Sequence, residues 1–178
     1  TKPQWRREID TSPHITPAVY LSADIPGIGG TLKACPEDFL VEELPLYTPS
    51  GEGEHIYLLV EKRGMNAMEM YGLIAKHFRV KRTAVGYAGL KDKQAITRQV
   101  VSIHTPGKTV DDFPHFVHDQ VKILRADQHD NKLRRGHLAG NRFSIKVRGV
   151  APTDVRTALR AMRVLEEAGV PERFGPQR

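Results

Sequence analysis

A single cysteine, Cys35, stands among 178 residues, so no disulfide can close within the chain and a reducing compartment, the cytoplasm, is the expected location. No segment approaches the roughly 18 to 20 consecutive apolar residues of a membrane span, and Thr1-Lys2-Pro3-Gln4-Trp5-Arg6-Arg7 has basic residues without an apolar stretch after them, so neither membrane insertion nor secretion is expected. Metal-ligand patterns are missing too. His115-Phe116-Val117-His118 has no second clustered pair and no His-Glu-x-x-His helix to complete it, and no metal is expected there. Gly27-Ile28-Gly29-Gly30 lacks the Lys-Ser/Thr ending of a phosphate-binding loop and a third glycine at dinucleotide spacing, and it reads as a turn.

What the chain does have is positive charge. With 27 Lys+Arg against 21 Asp+Glu it carries a formal +6, with a pI near 9.5. Such a balance suits a polyanionic partner, nucleic acid first, although modest charge also serves solubility. Two short basic runs stand out, Arg79-Val80-Lys81-Arg82 and Lys132-Leu133-Arg134-Arg135. Each is either a solvated face or a set of backbone-phosphate contacts.

Hydrophobic residues make up 39% of the chain, enough to bury a core. Residues 1–20 are polar, aperiodic and proline-containing and read as a loosely ordered arm. Strand composition marks Phe39–Leu44, Ile56–Lys62, Val85–Ala88, Thr97–Ile103, Val121–Leu124 and Phe143–Val147. Ser50-Gly51-Glu52-Gly53 between the first two predicts a turn and an antiparallel pairing of those strands. Asn66, with Glu69 three residues later, predicts a capped helix whose Ala67, Met70, Tyr71, Ile74, Ala75 and Phe78 form the core-facing stripe. A second helix is expected from about Asp154 to Ala168, capped by Thr153, with Val155, Leu159, Met162 and Leu165 on one face and Gly169 past its end. The pattern is an α+β fold with a mostly antiparallel mixed sheet flanked by helices.

Gly89-Leu90-Lys91-Asp92-Lys93 holds a carboxylate between two lysines in a loop between predicted strands. It is either a solvated turn or an ionised aspartate presented in a cleft, with the flanking ammonium groups favouring its charged form and Gly89 letting the backbone turn sharply. The longer stretch Gly89-Leu90-Lys91-Asp92-Lys93-Gln94-Ala95-Ile96-Thr97-Arg98-Gln99 resembles the signature of the TruD family of tRNA pseudouridine synthases. Further similarity follows in the family's order: Lys33-Ala34-Cys35-Pro36-Glu37-Asp38-Phe39, Gly51-Glu52-Gly53-Glu54-His55, Gly140-Asn141-Arg142-Phe143, and Phe174-Gly175-Pro176-Gln177-Arg178. Glu172 and Arg173 depart from the asparagine and tyrosine more usual before the last motif.

The resemblance implies that residues 21–178 are the first half of a pseudouridine synthase catalytic domain, stopping inside the last motif, before an inserted domain and the second half. It implies Asp92 as the catalytic residue, acting on the ribose C1′ or on the uracil ring. Phe143 would stack on the base and Asn141 would satisfy its edge, though alternation alone would bury Phe143 as a strand residue. Phe39 and Lys33 would build the pocket wall, Lys33 neutralising a phosphate or orienting Asp92. Lys91, Lys93, Lys81, Arg82, Arg134 and Arg135 would contact the RNA backbone. The implied substrate is tRNA, with uridine-13 the usual target, and the partner for this chain is the missing carboxy-terminal half. Isomerisation needs no redox group or hydrolysis, so no cofactor is expected. The competing reading is a non-catalytic basic RNA-binding module in which Asp92 only shapes a turn.

Overall fold

Two periodicities, the alternation of strands and the 3.6-residue repeat of a helix, build the fold of a computed structural model that describes residues 20–170. The expected arm, apart from Tyr20, and the Phe174–Arg178 motif with Glu172 and Arg173 lie outside the described residues. The chain divides into two units, one spanning Gly30–Gly149 and the other joining residues before Gly30 to those from Val150 onward.

The Gly30–Gly149 unit is a six-stranded mixed sheet. Its strands are β1 (Phe39–Pro45), β2 (His55–Arg63), β3 (Val85–Tyr87), β4 (Ile96–His104), β5 (Val121–His129) and β6 (Leu138–Ile145), and one helix, α1 (Ala67–His77), follows β2. The order across the sheet is β5-β2-β4-β1-β6, with β3 paired to β4 beside that path. Every pairing is antiparallel except β1 with β4. The expected pairing of the first two strands is therefore overturned. β4 lies between β1 and β2, because Ile96–Arg63 to His104–His55 form one continuous ladder that takes up the whole of β2's inner edge. Composition identifies strands but carries no information about which edge each one finds.

α1 forms where the stripe predicts. The Asn66 side chain accepts from the Met68 N–H at 2.8 Å, and Ala67, Met70, Tyr71, Ile74 and Ala75 are buried. They pack with Ile56, Leu58, Val60, Val101, Ile103 and Val121 on one sheet face, with Met65 and Phe78 completing the core. Burying each large aliphatic side chain is worth about 1.5–3 kcal/mol. The helix stops at Phe78, and Arg79, at φ 54, takes the left-handed turn while Val80 N–H donates to the Ala75 carbonyl. Gly53 serves the far end of β2: at φ +115, a Cβ there would stand 2.5 Å from the backbone of Asp130.

The second unit contains α2 (Val155–Ala168). Thr153 does not cap it, because Pro152–Asp154 form a 3-10 turn ahead of the helix and Asp154 occupies the cap position without a side-chain bond. Gly169, at φ 74, ends it as expected. None of its residues is buried, and the apolar face of Val155, Leu159 and Met162 is exposed. Within this unit Arg160 reaches Asp24 at 3.3 Å.

Candidate active site

The loop between β3 and β4 emerges where the sheet splits. One edge of β4 pairs with β1 at Ile96–Arg98 and with β3 at Val101–Ile103. Between them the Val100 N–H has no ladder partner and donates to the Glu43 carboxylate at 3.1 Å. The other Glu43 oxygen accepts from Lys91 at 2.5 Å in a pair whose side chains are only 4% and 1% exposed. A carboxylate on β1 thus closes a gap in the ladder and holds the loop at once.

More anchors lie beneath the loop. Tyr71 on α1 donates to the Gly89 carbonyl at 3.2 Å and accepts from Gln99 at 2.7 Å. Burial, chiefly, pushes the Tyr71 phenol pKa up, so the hydroxyl keeps the proton it donates. Lys62, fully buried, donates to the Asp92 carbonyl at 2.6 Å. The Asp92 carboxylate itself is left on the open side, 46% exposed, and pairs with Lys33 at 3.0 Å.

Two expectations about this loop are corrected. Lys91 does not flank the Asp92 carboxylate or face outward for an RNA backbone, because its ammonium is committed to Glu43 below. The charge neighbour of the carboxylate is Lys33, which is distant in sequence. Gly89 does not take a left-handed backbone, and a Cβ would meet nothing nearer than the Lys91 Nζ at 3.8 Å. The turn is held by hydrogen bonds rather than by glycine freedom.

Lys33 reaches Asp92 from a backbone of φ 54, a costly conformation for a non-glycine residue and one often found at functional sites. Thr31, two residues earlier, exchanges both backbone hydrogen bonds with Arg148. Pro36–Asp38 then form a 3-10 turn whose buried Asp38 grips the Arg148 guanidinium through two bonds, at 2.6 and 2.8 Å. Those bonds hold the Asp38 pKa below its ordinary value. The Pro-Glu-Asp-Phe segment is thus a bracket that sets Lys33 on one side and Phe39, the first residue of β1, on the other.

Lys33 Nζ lies 3.9 Å from the centre of the Phe39 ring. The Phe39 ring in turn meets Phe143 edge-on at 5.9 Å. Phe143 stands opposite Val41 and Asn141 opposite Glu43 in the β1–β6 ladder, so Phe39, Asn141 and Phe143 share one sheet face. Phe143 is not a core residue, because 52% of it is exposed. The structure therefore joins Asp92, Lys33, Phe39 and Phe143 in one chain of contacts. Asn141 is exposed on the same face, one alternation beyond Phe143.

The basic runs are partly spent on the fold. Arg82 donates to the Met68 carbonyl at 2.5 Å, Lys132 to the Thr83 carbonyl, and Arg135 to the Tyr87 hydroxyl at 3.2 Å. Lys81, Lys93 and Arg134 are exposed. A cavity of about 350 Å³ lined by Tyr47, Tyr57, Leu59, Val100 and Arg142 opens on the other sheet face, and none of Lys33, Phe39, Asp92, Asn141 and Phe143 lines it. Sequence reasoning missed Glu43 and Lys62. Lysine at position 62, on the same alternation as Ile56, Leu58 and Val60, was the available signal.

The family model for tRNA pseudouridine synthase D (TruD) matches residues 17–178. The chain belongs to the TruD family. Among curated TruD relatives, tRNA pseudouridine synthase D of Syntrophotalea carbinolica is 50% identical over 161 residues, covering 90% of this chain and 40% of that protein. A Thermus thermophilus relative is 46% identical over 164 residues, 89% of this chain and 44% of its own. A solved Methanosarcina mazei structure, described as a candidate TruD protein, superposes with a TM-score of 0.76 at 28% identity, over 90% of this chain and 37% of that one. The chain thus spans about 40% of the length of the curated TruD relatives it matches. No described helix is long and apolar enough to cross a membrane.

Proposed function

We propose that this chain is the first half of the catalytic domain of a tRNA pseudouridine synthase that isomerises uridine-13 of tRNA, with Asp92 as its catalytic carboxylate. One observation carries the reading: in a TruD-family chain, Asp92, Lys33, Phe39 and Phe143 form a continuous, solvent-facing constellation.

Pseudouridine formation breaks the bond from uracil N1 to ribose C1′ and makes one from C5 to C1′, with the C5 hydrogen finally replaced by one on N1. Atoms and electrons balance within the nucleotide, so the reading calls for no cofactor or metal. An anionic carboxylate can act on C1′ or on the ring, and Lys33 holds it oriented. The target must leave its stack at a cost of a few kcal/mol, which stacking on Phe143 and a base-edge bond from Asn141 offset. Exposed Lys81, Lys93 and Arg134 are suited to phosphates, as are the exposed Arg82 and Arg135 beyond their bonds to Met68 and Tyr87.

The remaining length found in the relatives supplies the other wall of the site, and it is the proposed partner when the chain is handled alone. The cytoplasm is the proposed location.

The test is pseudouridine formation on tRNA by this chain, alone and mixed with a fragment carrying the remaining part of the family's length. Activity in either preparation, abolished by Asp92→Ala with tRNA affinity retained, is the expected result. Turnover surviving in Asp92→Ala would sink the assignment, and inactivity of both preparations would favour a non-catalytic RNA-binding module.

A further inference from the structure

Lys62 is fully buried, alone among the described lysines, and its neighbours along the same face of β2 are Leu58 and Val60. An apolar residue would suit that face without the desolvation cost of several kcal/mol that a buried ammonium incurs. Across the ladder Lys62 faces Thr97, whose buried hydroxyl has no hydrogen-bond partner, as has the next residue on that face, Gln99, at Oε1. This polar pocket within the core is thus poorly compensated by its own members. What the ammonium does reach is the main-chain carbonyl of Asp92, at 2.6 Å.

We infer that Lys62 is a positioning residue for Asp92: its buried charge clamps the main chain of that residue and sets a positive potential beneath the carboxylate that Lys33 pairs with. The inference rests on the catalytic assignment of Asp92 made above. Lys33 and Lys62 then divide the work. Lys33 is partly exposed and can exchange Asp92 for a substrate phosphate, whereas Lys62 cannot leave.

The groups around Lys62 are Asp92 and Lys91 from the loop, with Glu43 from β1 paired to Lys91 and Tyr71 from α1 bonded to Gly89 of the same loop, and apolar Val121 stands opposite it on β5. Burial lowers the Lys62 pKa to about 8, with Asp92 opposing the shift and Lys91 reinforcing it. Two trends in opposite directions follow. As pH rises through about 8 the folded protein loses the Lys62 charge, and turnover falls. Over the same range the unfolded chain, with the ordinary lysine pKa of 10.5, still holds its proton, so the Lys62 contribution to stability rises from about pH 8 toward 10.5.

The experiment compares the unsubstituted protein with Lys62→Met and Asp92→Asn. Turnover on tRNA is measured against pH in the preparation found active, this chain alone or completed with the rest of the family's length. The Lys62 side-chain amine is titrated by NMR in this chain, and thermal melting is followed over the same pH range. Lys62→Met is expected to lower kcat about 10- to 100-fold, with KM within about threefold, and to remove the high-pH fall in kcat without lowering the melting temperature. Asp92→Asn is expected to move the Lys62 titration further down, because a negative neighbour is lost.

An unchanged kcat and pH profile in Lys62→Met, or a Lys62 titration indifferent to Asp92→Asn, overturns the inference. If Lys62→Met fails to fold, the NMR titration pair and the pH profile of the unsubstituted protein decide. Failure of the function itself is separable. Inactive preparations, or turnover retained in Asp92→Asn, count against the role of Asp92, whereas the titration reports the Lys62–Asp92 contact without any turnover.

Discussion

The half of the sheet under α1 and the half formed by β1 and β6 are built from the same kinds of residue and put to opposite uses. Under α1, Leu58, Val60, Val101 and Ile103 are fully buried, and the helix covers them with Met70 and Ile74. On the β1–β6 side, Phe143 and Ile145 sit on the same alternation yet remain about half exposed. The difference is coverage. Apolar residues on a strand face become core only if another element arrives to exclude water, and α1 reaches β5, β2 and β4 but leaves the other edge open. A large aromatic on such an open face is available for a ligand.

Three substitutions sharpen or break that contrast, beginning with the largest effect. Ile74→Ala, on the covered half, is expected to cost about 2–5 kcal/mol of stability by leaving a cavity, read as a lowered denaturation midpoint. A small loss there would mean that α1 packs more loosely than its burial indicates. Phe143→Ala, on the open half, is expected to weaken RNA binding or turnover by about 1–3 kcal/mol while moving the midpoint much less than Ile74→Ala does. The reverse outcome, lost stability with RNA binding intact, would make Phe143 a packing residue after all. Asn66→Ala should cost about 1 kcal/mol through loss of the α1 cap, with RNA affinity unchanged, which equilibrium unfolding beside a tRNA titration would check.

Much of this was legible in the chain itself. Local alternation and the helical stripe marked every strand and both helices, because each signal lies within a dozen residues. The bounds were less secure: β5 runs to His129, well past Leu124, and β6 starts at Leu138 and ends at Ile145 rather than spanning Phe143–Val147. Exposed, polar stretches such as Ala139–Arg142 carry little periodic signal even where backbone pairing continues.

Motif order supplied Lys33, Phe39, Asp92 and Phe143 as a set, and the fold joins those four by contact. Their supports were not legible. Glu43 looked like any strand glutamate, and nothing local says that Lys91 will turn inward to it.

The sequence alone determined the element types, the positive balance and the motif set that marks the family, since each is written in residue identity and short spacing. Only the tertiary structure decided that β4 separates β1 from β2, that Lys33 rather than Lys91 meets the Asp92 carboxylate, and that Lys62 lies buried beneath it. Such contacts join residues 30 to 59 positions apart. Which of several lysines reaches a given carboxylate depends on strand order and on which faces stay dry, and neither is fixed until the whole sheet has formed.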